Sequence, residues 1–134
     1  MSLGLSRDML RWFQALDLSY CIKNPKRDFA NGYLIAEICC RYHPHLITMH
    51  SYDTGANLKK REANWELIRK IFKKIGFNYN DTEIHYIIHY KTGAIIPFLA
   101  KLYEFLTHKK IKLASPKRNH LLMKTFVDSC YEKK

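Results

Sequence analysis

A chain of 134 residues, 47% hydrophobic and 13% aromatic, has the length of one domain and is too apolar for a disordered segment. Its net charge of +11 favours polyanionic partners (nucleic acid, an anionic membrane or an acidic protein surface) without choosing among them, and residues 101–134 carry about half of the excess. No apolar run approaches the roughly 20 residues of a membrane helix, no signal-peptide pattern opens the chain, and Cys21, Cys39, Cys40 and Cys130 form no C-x-x-C pair, so reduced thiols in a cytosolic setting are expected.

Ser6 is a good N-cap for a first helix. Leu5 and Leu10 are spaced for a hydrophobic staple, and Met9, Trp12, Phe13 and Leu16 form the buried stripe. A loop over 19–29 holds Pro25 and three cations. Asp28 and Asn31 are turn formers, and Gly32 relieves the steric limit at the turn. A second helix runs from about Gly32 to Tyr42, where Pro44 stops it. Residues 45–57 read as a long irregular connection.

The third helix spans Leu58 to Ile75, with Asn64-Trp65, Ile68 and Ile71-Phe72 on its inner stripe and Gly76 as its cap. The fourth covers Thr82 to about His89, with Glu83 suiting the positive end of its dipole. The fifth starts near Thr92-Gly93 and ends near Thr107, and Pro97 is tolerable in its first turn. Ser115-Pro116 opens a last helix, with Leu122, Phe126 and Cys130 on one face. No segment alternates as a strand, so the fold class is all-α.

Chemistry-bearing constellations are weak. Asp53-Thr54-Gly55 matches the aspartic-protease triplet, but that reaction needs two carboxylates sharing a proton, and one triplet in a helical setting reads as a turn. Cys39, Cys40, His43, His45 and His50 crowd one region. Adjacent helical side chains point about 100° apart, however, while zinc needs four converging ligands. A core cysteine is the better reading. His85 and His89 share a helix face without the glutamate of H-E-x-x-H, and neither glycine-rich phosphate motif occurs. No catalytic residue, cofactor or metal is expected, and the chain is not read as an enzyme.

The cations form four clusters: Lys23, Lys26 and Arg27; Lys59, Lys60 and Arg61; Arg69, Lys70, Lys73 and Lys74; and Lys109, Lys110, Lys112, Lys117 and Arg118. The third admits a binding role and a local explanation alike, since Glu66 and Lys70 are spaced as an i, i+4 pair and cations suit a helix C-terminus. The first has only Asp28 nearby, and the fourth has no acid between Lys109 and Arg118. Unbalanced like charges disfavour the compact state unless a partner offsets them. The first, second and fourth clusters are therefore the candidate binding residues.

Arg27–Ile38, the Asn64-Trp65 pair and the run Tyr103–Lys112 together resemble the calponin-homology-like domain of the sperm flagellar protein and spermatogenesis-associated protein family. Met49–Tyr52 resembles the first branch, Thr107-His108 the second. The likeness covers residues 5–112 and leaves 113–134 as a basic helical extension. It implies a compact calponin-homology-like fold and a non-enzymatic module of the ciliary or flagellar axoneme. The implied partners are tubulin in microtubules and other axonemal proteins, with no nucleic acid, membrane or small-molecule substrate. Lys26 and Arg27 hold the positions that the family ties to microtubule contact. Sustained heptads, which would support dimerisation and bundling, are absent from the sequence.

Two other binding classes compete. Actin filaments are bound by other calponin-homology domains, usually as tandem pairs. Nucleic acid suits the charge, but no helix shows a basic face with interleaved aromatics.

Overall fold

The computed structural model describes residues 5–109. Among these residues the chain forms six α-helices and no strand: α1 Arg7–Leu16, α2 Pro25–Asp28, α3 Tyr33–Tyr42, α4 Leu58–Ile75, α5 Asp81–Ile88 and α6 Ile95–Thr107, with a 3-10 turn at Met49–Ser51. The all-α expectation is met. The helix expected from Ser115 lies outside the described residues.

Side-chain caps set three of the starts. Ser6 Oγ accepts the Met9 N–H at 3.2 Å, and Asn57 Oδ1 accepts the Lys60 N–H at 2.9 Å. Asn80 Oδ1 accepts from Thr82 and Glu83 at 2.8 and 3.4 Å. Each satisfies first-turn amides that have no intrahelical carbonyl.

Two elements depart from the sequence reading. The loop over 19–29 contains the one-turn helix α2, started by Pro25, whose fixed φ and missing N–H suit a first helical position. The last long helix begins at Ile95 rather than at Thr92-Gly93, because Tyr90 and Gly93 both take positive φ, 61° and 86°. Such residues reverse the chain and do not continue a right-handed helix.

The core is one continuous aromatic and aliphatic cluster. Phe13 of α1 meets Phe29 at a ring-centroid distance of 5.6 Å, and Trp65 of α4 meets Phe98 of α6 edge-on at 5.7 Å. Phe77 bridges Phe98 and Phe105 at 6.0 and 5.1 Å. Leu5 and Leu10, the expected staple pair, are both buried. Truncating a large buried ring of this kind costs about 3–5 kcal/mol.

Candidate functional site

The segments that carry the candidate residues are fixed by a polar knot. Gly32 adopts a φ of +84°, and a Cβ placed there would fall 2.7 Å from Ile68 Cδ1 and 3.2 Å from Trp65 Nε1. Trp65 is fully buried and donates its Nε1–H to the Ala30 carbonyl at 2.8 Å. Its neighbour Asn64 is also buried. Asn64 Nδ2 donates to the Asn31 and Asp53 carbonyls at 2.8 and 2.7 Å, and its Oδ1 accepts the Asp53 N–H at 3.0 Å.

Asn31 completes the knot. Its Nδ2 donates to the Asp53 and Gly55 carbonyls at 2.8 and 2.9 Å, and its Oδ1 accepts the Tyr33 N–H at 2.8 Å. Asp53-Thr54-Gly55 is a turn, with Asp53 Oδ1 accepting the Gly55 N–H at 2.7 Å. The turn before α3, the 53–55 loop and α4 are thereby locked together.

A second anchor holds the segment after α1. Glu37 is buried and accepts the Ser19 N–H at 3.0 Å and the Ser19 hydroxyl. Arg41 donates to Glu37 at 3.2 Å and to the Leu16 and Asp17 carbonyls at 2.9 and 3.2 Å. The chain after Asp17 is tied to α3 in this way, and Tyr20 follows directly.

Between the two anchors lies an open cleft of about 490 Å³. Tyr20, Tyr33 and Tyr90 supply its aromatic surface, Lys23 and Arg27 its cations, and Thr54, Gly55 and Ala56 a further wall. The Tyr20 and Tyr33 rings meet edge-on at 5.7 Å. Burial, then the Glu37 carboxylate, then Tyr20 push the Tyr33 phenol above its ordinary range, so it stays a neutral hydrogen-bonding group near pH 7.

Among the sequence-derived candidates, Lys23 and Arg27 are exposed around α2. Lys26 is half-buried, with its Nζ 3.5 Å from Thr92 Oγ1. Asp28, the acid nearest to them, accepts the Lys23 and Asn24 N–H groups at 2.7 and 2.9 Å and so shapes the start of α2.

Lys59 and Lys60 are exposed in the first turn of α4. Lys60 borders the cleft: its Cδ lies 2.5 Å from where a Cβ on Gly55 would stand, and its Nζ is 3.6 Å from Asp53 Oδ1. Lys23 and Arg27 of the first cluster and Lys60 of the second are thus brought to one region. Lys109 is exposed at the end of α6, whose 13 residues span about 20 Å, well away from Thr92. Lys110, Lys112, Lys117 and Arg118 lie outside the described residues.

Arg61 is a correction. It was expected within an exposed basic cluster, but it is buried. Its Nε donates to the Ile88 carbonyl at 2.8 Å, and its Nη1 donates to the Ala56 carbonyl and to Tyr90 Oη, the latter at 3.0 Å. The guanidinium also stacks 4.4 Å from the Tyr90 ring centroid. It joins α4 to the end of α5 and orients Tyr90 in the cleft wall. Glu66 likewise pairs with Arg69 at 3.1 Å rather than with the expected Lys70, and Arg69 also reaches Asp81 at 3.0 Å.

Lys59 remains without a local explanation. A cation in the first turn of a helix opposes the dipole by about 0.3–1 kcal/mol, and Lys59 has no ion pair among the described residues. The sequence reading missed the cleft's three tyrosines. They come from three separate segments, and no spacing in the chain marks them as neighbours.

Cys39 is a core residue. It is 1% exposed, and burial, then the Cys40 thiol beside it, push its own thiol up to about 12.

A compact array of helices locked by an Asn-Gly turn against an Asn-Trp pair defines the class of module. Residues 9–104 match the family model described as CH-like domain in sperm protein, and the chain belongs to that family. It is 30% identical over 109 residues to mouse sperm flagellar protein 1, covering 78% of this chain and 47% of that protein. The human protein of the same name is 31% identical over 104 residues, covering 74% and 44%, and the Xenopus laevis protein 29% over 105 residues, covering 78% and 46%. The chain therefore spans about half the length of these relatives.

Proposed function

We propose that the chain is a non-enzymatic microtubule-binding module of the flagellar or ciliary axoneme, with a basic face that meets the acidic surface of tubulin. The carrying observation is Arg27, exposed on α2 and without an ion pair among the described residues, in a chain of charge +11. Lys23, Lys26 and Lys59 extend that face, and Lys60, paired with Asp53, stands at its edge. Lys109, Lys110, Lys112, Lys117 and Arg118 supply charge for a second contact. The names of the relatives support the flagellar setting.

Charge of this kind steers encounter and sets salt dependence, while apolar groups fix the register. Leu58, 40% exposed beside Lys59, is such a group. Pelleting the full chain with microtubules and, separately, with actin filaments at about 50 and about 200 mM salt tests the reading. Microtubule pelleting that falls with salt is expected. Pelleting with actin and not with microtubules would overturn it.

A further inference from the structure

We propose that the cleft between α2 and the 54–56 loop is a binding site for an extended acidic peptide segment, with a carboxylate taken by Arg27 and an apolar side chain laid on Tyr20 and Tyr33. This goes beyond filament binding, because the site needs only a free peptide and not a lattice.

Three observations carry it. First, the volume of about 490 Å³ suits two or three side chains and not a whole folded surface. Second, the lining pairs aromatic faces with cations. Tyr20 is 49% exposed although its ring meets that of Tyr33, and Arg27 makes no side-chain hydrogen bond or ion pair among the described residues. A guanidinium with no internal partner presents a fork that matches a carboxylate in two parallel bonds.

Third, the walls are rigid before any ligand arrives. Asn31 has both of its Nδ2 bonds and its Oδ1 committed to backbone, Tyr90 is held by Arg61, and the segment leading to Tyr20 is held by Glu37. Preorganised walls reduce the ordering cost of binding. Asp28 also lines the cleft, but its Oδ2 already receives two backbone N–H groups, which partly neutralise it towards an incoming anion. Lys60 at the rim, paired with the exposed Asp53, adds no net charge of its own.

The probe is a fluorescein-labelled peptide of four glutamates, a phenylalanine and four more glutamates, titrated with the full chain by anisotropy. Two comparison peptides replace the glutamates by glutamine or the phenylalanine by glycine. The parent peptide is expected to bind, and each comparison peptide to bind at least about fivefold more weakly. Arg27→Glu should weaken binding by about tenfold or more and Tyr20→Ala by about fivefold. Lys74→Glu, an exposed charge reversal at the far end of α4, should stay within about twofold.

Thermal melts check that the three variants remain folded, as expected for exposed positions. Equal losses for Lys74→Glu and Arg27→Glu would overturn the site in favour of diffuse charge attraction. So would parent binding untouched by Tyr20→Ala, or no parent binding at all. Peptide capture without microtubule pelleting sinks the filament reading and keeps the cleft. Microtubule pelleting without peptide capture does the reverse.

Discussion

Asn64 Nδ2 donates to the Asn31 carbonyl at 2.8 Å across 33 residues of chain. Both side chains also donate to the Asp53 carbonyl, at 2.7 and 2.8 Å. The two sequence features that carry the family resemblance, the turn before α3 and the Asn-Trp pair of α4, are therefore one hydrogen-bonded object. It holds the fold and leaves the cations around α2 outside it.

Gly32→Ala should lower unfolding free energy by about 2–4 kcal/mol. The added methyl meets Ile68 at 2.7 Å, and the left-handed backbone is unfavourable for any residue with a Cβ. Urea denaturation measures it. A loss below about 0.5 kcal/mol, the range of an ordinary surface change, would contradict the close approach.

Asn64→Ala and Asn31→Ala should each destabilise by about 2–3 kcal/mol, since each leaves backbone groups without partners. The double variant should lose at least about 1 kcal/mol less than the sum, because the two share the Asp53 acceptor. Strict additivity in a double-mutant cycle would mean that the knot is not a unit.

Arg61→Ala should cost about 1–3 kcal/mol, by stripping the buried Ile88 carbonyl of its donor and the Ala56 carbonyl of one of its two. Lys59→Ala should stay within about 0.5 kcal/mol and yet weaken filament pelleting. Denaturation and pelleting measured on both variants separate the structural cation from the surface one. The opposite pattern would return Arg61 to the binding face.

Cys39 should resist iodoacetamide in the native chain while Cys21 and Cys40, both partly exposed, react first. Because the folded thiol titrates near 12 against an ordinary 9.0, its contribution is complete below pH 9. As pH rises from 9 towards 12 the unfolded thiol loses its proton and the folded one keeps it, so the native state loses up to about 1.4 kcal/mol per pH unit from this group. Peptide mass spectrometry after labelling, and melts across that range, check both statements. Replacing Cys39 by Ala should remove this part of the alkaline slope.

Five of the six helices were legible because each carries a local signal, such as the Ser6 cap of α1, the Ile68, Ile71 and Phe72 stripe of α4 and Glu83 in the first turn of α5, whereas the one-turn α2 was read as loop. The late start of α6 was not legible, since nothing in the sequence marks Tyr90 as left-handed. The polar knot was only half legible. Asn31 and Asn64 stood out singly, but their pairing through Asp53 is a tertiary fact.

Charge clustering found the basic residues and misjudged Arg61. Lys59, Lys60 and Arg61 are adjacent in sequence, yet successive helical positions turn by about 100°, which sent Arg61 inward to the Ala56 and Ile88 carbonyls. The aromatic side of the cleft was invisible, because Tyr20, Tyr33 and Tyr90 meet only after folding.

The most direct measurement is microtubule pelleting of the Lys26→Glu, Arg27→Glu double variant beside the unmodified chain at about 50 mM salt, where exposed charges are weakly screened. The account predicts an unchanged melting profile and a loss of microtubule affinity of about tenfold or more. Undiminished pelleting by a folded double variant would contradict it.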